Sequence, residues 1–206
     1  MNKAAIEITP SSIKLLILNE EDQCICSDLR VCSYAQSGSL ISPPIIQELL
    51  DHCSELIEIA RLHNIPVWQI SGIATGSMRL AFNAKSILKR IAADFNLRVQ
   101  ILAKEEEATF SWFGGVKDIA VRSGPVAMVH VRKEGLYCVL GQDGEISYIQ
   151  NIGFDLEKEL RQYFGPTIDR YNSADNIHIR KEIENKFSIL QWPKRPRTLL
   201  ISGETV

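Results

Sequence analysis

The chain has 206 residues, 45% hydrophobic and 23% charged, with a net charge of −2, which leaves room for one or two domains with sizeable cores. That balance, with no long basic run, argues against nucleic-acid binding and against a membrane surface, and no stretch reaches the ~18 apolar residues that a spanning helix needs. No uninterrupted apolar segment ending in a cleavage site follows Lys3, so no signal peptide is expected, and the odd set Cys24, Cys26, Cys32, Cys53 and Cys138 fits reduced thiols in a cytoplasmic protein.

Two β-rich runs open the chain, Lys3 to Ile8 and Ile13 to Leu18, separated by the turn residues Thr9-Pro10-Ser11-Ser12. Glu20 to Gln23 make a second turn, and Cys24 to Ser33 read as a third strand. Cys24, Cys26 and Cys32 share parity on that strand. A metal site there lacks a fourth ligand nearby in sequence, so they are read as small buried hydrophobes. Ser37 to Ser42 is a loop. Ser42-Pro43 then supplies an N-cap and a first-turn proline, and Ile46, Leu49, Leu50, Cys53, Ile57 and Ala60 follow helical spacing as far as Asn64-Ile65-Pro66. Val67 to Ala74 reads as a strand, Thr75-Gly76-Ser77 as a turn, and residues from about Met78 to Phe95 as one helix.

Leu97 to Leu102 is a short strand that runs into Glu105-Glu106-Glu107. Carboxylates in a first helical turn are favoured by its unpaired N–H groups and by the helix dipole. Ala108 and Phe110 to Phe113 give this helix an apolar body, with Gly114-Gly115 expected to stop it. A charged connector, Val116 to Gly124, marks a division into 1–122 and 123–206. Strands follow at Pro125–Val131, Leu136–Gly141 and Ile146–Ile152, the last two joined by the hairpin signal Asp143-Gly144. Helices are expected at Gly153–Phe164 and about Ser173–Leu190, a basic linker at Pro193–Arg197, and a final strand at Thr198–Ser202. Trp68, Trp112 and Trp192 are read as core or edge packing.

The same order thus runs twice: a meander of three strands, then alternating helices and strands that imply parallel pairing through crossovers. The expectation is an α/β protein of two actin-like (ribonuclease H-like) lobes. The first hairpin turn of each lobe, Thr9–Ser12 and Arg132–Gly135, would face phosphate. The second lobe stops early at Val206, so it is expected to be incomplete: either the chain is a piece of a longer protein or a partner covers that edge, for instance in a homodimer.

Several segments resemble the exopolyphosphatase/guanosine-pentaphosphate phosphatase (Ppx/GppA) family. Ala4 to Ile17 resembles its opening A-A-I-D-I-G-S-N-S-I-R-L-L-I. Ile73 to Ala84 resembles its A-T-S-A-x-R-x-A-x-N-A segment. Glu105-Glu106-Glu107-Ala108 with Gly114 resembles its G-E-E-E-A-x-x-x-x-x-G segment, and Ser202-Gly203-Glu204-Thr205 its late Gly-rich turn. The resemblance implies hydrolysis of a terminal phosphoryl group from polyphosphate or a guanosine penta- or tetraphosphate, with magnesium if the protein is active. By residue matching, Glu106 would be the base toward water, Arg79 would hold phosphate, Ser11 and Ser12 would form the first phosphate loop, and Glu7 would be a metal ligand.

The departures fall on the phosphate turns. Where the family has aspartate and glycine, this chain has Glu7 and Thr9, and Pro10 offers no N–H. The family's V-I-D-I-G-G-G-S-T-E is replaced by Met128 to Tyr137, which puts His130 at the aspartate, Arg132, Lys133 and Glu134 at the glycines, and Tyr137 at the last glutamate. Arg132 and Lys133 form a candidate replacement anion site, against the plainer reading of a solvated hairpin tip. The expectation is a degenerate family member that binds a phosphate ligand or regulates, with weak or no hydrolysis; the alternative is an active exopolyphosphatase or guanosine pentaphosphate phosphohydrolase.

Overall fold

The computed structural model describes residues 2–9, 12–32, 40–117 (the Ser77 side chain excepted), 124–132, 135–153, 181, 184, 185, 188 and 190–203. The expected helix at 153–164 and nearly all of that at 173–190 lie outside the described residues, as do most of the connector and most of the loop before Ser42. The chain divides into two compact units, Met1–Ala103 and Lys104–Val206.

The first unit holds a five-stranded sheet in the order β3-β2-β1-β4-β5. β1 (Lys3–Ile8), β2 (Ser12–Leu18) and β3 (Cys24–Val31) form an antiparallel meander. β4 (Ile70–Ala74) joins β1 in parallel, and β5 (Val99–Ile101) joins β4 in parallel. Period-two alternation sends Ile6 and Ile8 of β1 and Ile13, Leu15 and Ile17 of β2 into the core. There they join Leu49, Cys53, Leu56, Ile57 and Ala60 of helix α1 (Pro43–Leu62). Burial of each large aliphatic side chain contributes about 1.5–3 kcal/mol.

The end of α1 is fixed by its sequence. Asn64 takes a left-handed φ of 60°. The Asn64 N–H donates to the Arg61 carbonyl at 2.9 Å and the Ile65 N–H to the Ala60 carbonyl at 3.0 Å. This is the Schellman pattern, and the buried Ile65 supplies its apolar contact.

The helix expected over 78–95 is two pieces: a single turn α2 (Ser77–Leu80) and α3 (Ala84–Phe95). The break comes at Asn83, whose side chain bridges the loop before α1. It accepts from the Ile41 N–H at 3.0 Å and donates to the Ile41 carbonyl at 2.8 Å. The start of the expected strand at Val67 is a 3-10 turn, Val67–Gln69.

The second unit holds a four-stranded sheet in the order β8-β7-β6-β9. β6 (Val126–Arg132), β7 (Gly135–Gln142) and β8 (Glu145–Gly153) form the antiparallel meander, and β9 (Thr198–Gly203) pairs with β6 in parallel. The arrangement repeats the first unit, with the opening strand lying between its hairpin partner and an added parallel strand. Asp143 and Gly144, at φ 54° and 82°, make the two-residue β7–β8 turn that their sequence signalled.

Helix α4 (Lys104–Lys117) belongs with this second sheet: Ala108 and Trp112 are buried against Met128, Tyr137 and Val139. The division therefore falls before α4, whereas the sequence placed it after. Trp112 fits because position 141 has no side chain, since a Cβ there would lie 2.4 Å from the indole. Gly114-Gly115 do not stop α4, which continues to Lys117. A Cβ on Gly115 would come within 3.3 Å of the Met128 sulfur, so close packing of helix on sheet accounts for that glycine. No helix among the described residues is long and apolar enough to cross a membrane.

Candidate functional site

The β1–β2 turn of the first unit is closed on itself. Thr9 is fully buried and Ser12 nearly so. The Thr9 N–H donates to the Ser12 carbonyl at 2.8 Å. The Ser12 N–H donates back to the Thr9 hydroxyl at 3.1 Å, and the two hydroxyls lie 2.9 Å apart. A threonine at this position thus takes up an amide that a glycine would leave available. Glu7, half-buried, stands directly opposite Lys14 in the β1–β2 register.

Beside this turn the chain leaves β4 through Thr75 and Gly76. The Thr75 N–H donates to the Ile8 carbonyl at 2.9 Å, and Gly76 has a φ of 56°. Arg79 in α2 is half-buried and donates to the Leu102 carbonyl at 3.1 Å, tying α2 to the end of β5.

In the second unit the residue at the end of β6 carries a buried charge. Arg132 at the end of β6 forms an ion pair with Glu107 of α4, the two side chains being only 4% and 3% exposed. The Tyr137 hydroxyl donates to the other Glu107 oxygen at 3.4 Å. Tyr137 and His130 are cross-strand partners whose rings stack at a centroid distance of 6.3 Å. His130 Nδ1 shares a 2.7 Å hydrogen bond with the Ser202 hydroxyl on β9. Burying two charges is costly, and a pair persists there because each neutralises the other and accepts or donates further hydrogen bonds.

The positions named from sequence fall in both units. Ser11 and Lys133 lie outside the described residues. Glu7, Ser12 and Arg79 belong to the first unit, and Glu106 and Arg132 to the second. Glu106 is exposed. Arg132 is not at a solvated tip, because its guanidinium is buried against a carboxylate. Glu107 was not singled out from sequence. Its signal lies in the helical phase: it adjoins Ala108, which is one turn before buried Trp112, and so borders the face turned to the sheet. Tyr137 and Ser202 carry no such signal, because their roles depend on strand register.

Magnesium binds through hard oxygen donors, mostly carboxylates and phosphates. The described residues do not fit a resident magnesium well. Glu107 is taken by Arg132, Glu7 faces Lys14, and His130 stands where the resemblance places an acid.

Residues 24–147 match the model of the Ppx/GppA phosphatase family. This chain belongs to that family. Among solved structures, the Aquifex aeolicus Ppx/GppA family member is similar over 98% of this chain, with a TM-score of 0.81 at 17% identity. An exopolyphosphatase from Cytophaga hutchinsonii is similar with a TM-score of 0.76 at 15% identity, again over 98% of this chain. The chain spans 65% of the Aquifex structure and 66% of the Cytophaga one. A more distant likeness, at a TM-score of 0.55 and 12% identity, is to the ethanolamine utilization protein EutJ from Carboxydothermus hydrogenoformans; it takes in 98% of this chain and 76% of that one. The two units are the two lobes of this actin-like fold. Among the described residues the second carries four strands where the first carries five.

Proposed function

We propose that this Ppx/GppA-family chain binds a phosphate-rich ligand, inorganic polyphosphate or a phosphorylated nucleotide, with weak or no hydrolysis, and acts as a binding or regulatory protein. The observation that carries this reading is the buried Arg132–Glu107 pair. Phosphoryl transfer depends on positioned groups that neutralise developing charge on the phosphate. The Arg132 guanidinium is committed to Glu107 and is not offered to phosphate, and the candidate base Glu106 does little without a positioned phosphate. In the first lobe, the Ser12 amide is committed to Thr9. Removing one such charge-stabilising group typically costs ~10²–10³ in rate, and here several are engaged together.

The ligand-holding part of the reading rests on Arg79 and, from the sequence, on Lys133 and the neighbourhood of Ser11. Arg79 sits on a turn directly after a strand end, where α/β folds commonly place ligands. Glu106 keeps the role of candidate base in the alternative, catalytic reading, which also requires magnesium.

Orthophosphate release from polyphosphate and from guanosine pentaphosphate, assayed with magnesium, tests the proposal. Release by the parent is expected to stay at or barely above a heat-inactivated control and to be the same in Glu106→Gln. Release by the parent that disappears in Glu106→Gln overturns it. Thermal shift with polyphosphate tests the binding half: at 100 times Kd a ligand adds about 2.7 kcal/mol of stability. The shift is expected to shrink in Arg79→Ala and in Lys133→Ala, and equal shifts in all three proteins count against binding at these residues.

A further inference from the structure

One cluster of metal-ligating side chains in the first lobe shares no residue with those named for phosphate. The Cys32 sulfur, a Glu48 carboxylate oxygen and a His52 ring nitrogen lie within 4.8 Å of one another. Cys32 follows β3 directly, while Glu48 and His52 are one helical turn apart on α1, so the fold joins ligands that are 16 and 20 positions apart in sequence. From sequence, Cys32 lacked nearby partners; crossing from strand to helix provides them.

We propose that Cys32, Glu48 and His52 bind a divalent transition metal of the zinc class, with one coordination position left to solvent. A thiolate with an imidazole selects zinc-like ions over magnesium or calcium, and three protein ligands with an open fourth position is a recurrent zinc arrangement. The spacing is close to what such an ion needs. His52 Nε2 and the Glu48 carboxylate oxygen are 3.8 Å apart, against roughly 3.3–3.8 Å between ligands of a tetrahedral ion with bonds of about 2.0–2.3 Å. Glu48 is half-buried, so its carboxylate is not locked in the core.

The surroundings also suit a metal-bound histidine. His52 Nδ1 is buried and makes no hydrogen bond. The Glu55 carboxylate stands 3.7 Å from it, and Arg30 Nε donates to the same Glu55 oxygen at 3.0 Å. A carboxylate behind the second ring nitrogen is the usual way a metal-bound imidazole is oriented. Zinc-class ions bind the thiolate, so a cation bound at Cys32 displaces a proton. Cys32 follows Val31, the β3 partner of Ser12. A metal there would fasten the Thr9–Ser12 hairpin to α1 and stabilise the first lobe.

The test is cobalt(II) and zinc(II) titration of the reduced full chain after chelator treatment. The expected result is about one bound equivalent, with a thiolate-to-cobalt charge-transfer band that zinc abolishes. Cys32→Ser and His52→Ala should each remove the band, Glu55→Gln should weaken binding by roughly 10–100-fold, and the double change of Cys24→Ser with Cys26→Ser should leave it intact. Should Cys32→Ser fail to fold, His52→Ala at its half-buried position decides the matter alone. Absence of the band in the parent, its persistence in His52→Ala, or its loss with Cys24 and Cys26 overturns the proposal.

Discussion

The two lobes engage the start of the corresponding hairpin turn by opposite means. In the first, Thr9 and Ser12 satisfy each other through neutral hydroxyl and amide hydrogen bonds. In the second, Arg132 and Glu107 do so through buried opposite charges. Both devices put a side chain where the family resemblance calls for bare glycine backbone, yet they differ in fragility. A neutral bond that is lost leaves one unpaired amide; half of a buried ion pair leaves an uncompensated charge.

The largest effect should therefore come from the second lobe. Arg132→Met alone, or Glu107→Leu alone, is expected to lower stability by about 3–5 kcal/mol in chemical denaturation, while the double change recovers most of the loss. A double variant no better than its parents would show that the pair is not the unit that matters. In the first lobe, Thr9→Val removes the acceptor of the Ser12 amide and should cost about 1–3 kcal/mol. If it costs as much as Arg132→Met, the contrast between neutral and charged closure fails.

Alkaline pH separates the lobes in another way. Burial pushes Cys32 and Cys53 of the first lobe up to about 11 and about 12, and Cys138 of the second up to about 11. A thiol whose folded value is raised stabilises the fold below its unfolded value, near 9, and that contribution is lost as pH climbs through the folded value. Both lobes should weaken between about pH 9 and 12, the first more, and Cys53→Ala should flatten its decline in a melting-temperature series. Below that window a thiol-labelling reagent should modify exposed Cys24 first, with Cys32, Cys53 and Cys138 reacting only on unfolding. The smallest effect belongs to Glu106→Gln, an exposed change expected to stay within about 0.5 kcal/mol. A larger cost would mean that Glu106, and not only its neighbour Glu107, supports the fold.

The scaffold was readable because its signals are local. Ser42-Pro43 begins α1, Asn64 with Ile65 ends it, Asp143-Gly144 turns β7 into β8, and the alternation of Ile6, Ile8, Ile13 and Leu15 marks the sheet face. The site was less readable because it depends on phase and register. Among three consecutive glutamates, the helical phase decides that Glu107 is buried while Glu105 and Glu106 face solvent. Arg132 meets Glu107 only after β6 has docked beneath α4. Asn83 looked like one residue of a long helix, and only the bridge to Ile41 reveals why the helix breaks there.

The central claim is that the fold persists while its phosphate turns are occupied by their own side chains. Calorimetric titration of the chain with magnesium and polyphosphate, followed by assay of the same sample for orthophosphate, tests it most directly. The account predicts heat of binding that falls in Arg79→Ala, with no orthophosphate accumulating. Orthophosphate that builds up with the parent and not with Glu106→Gln would contradict it.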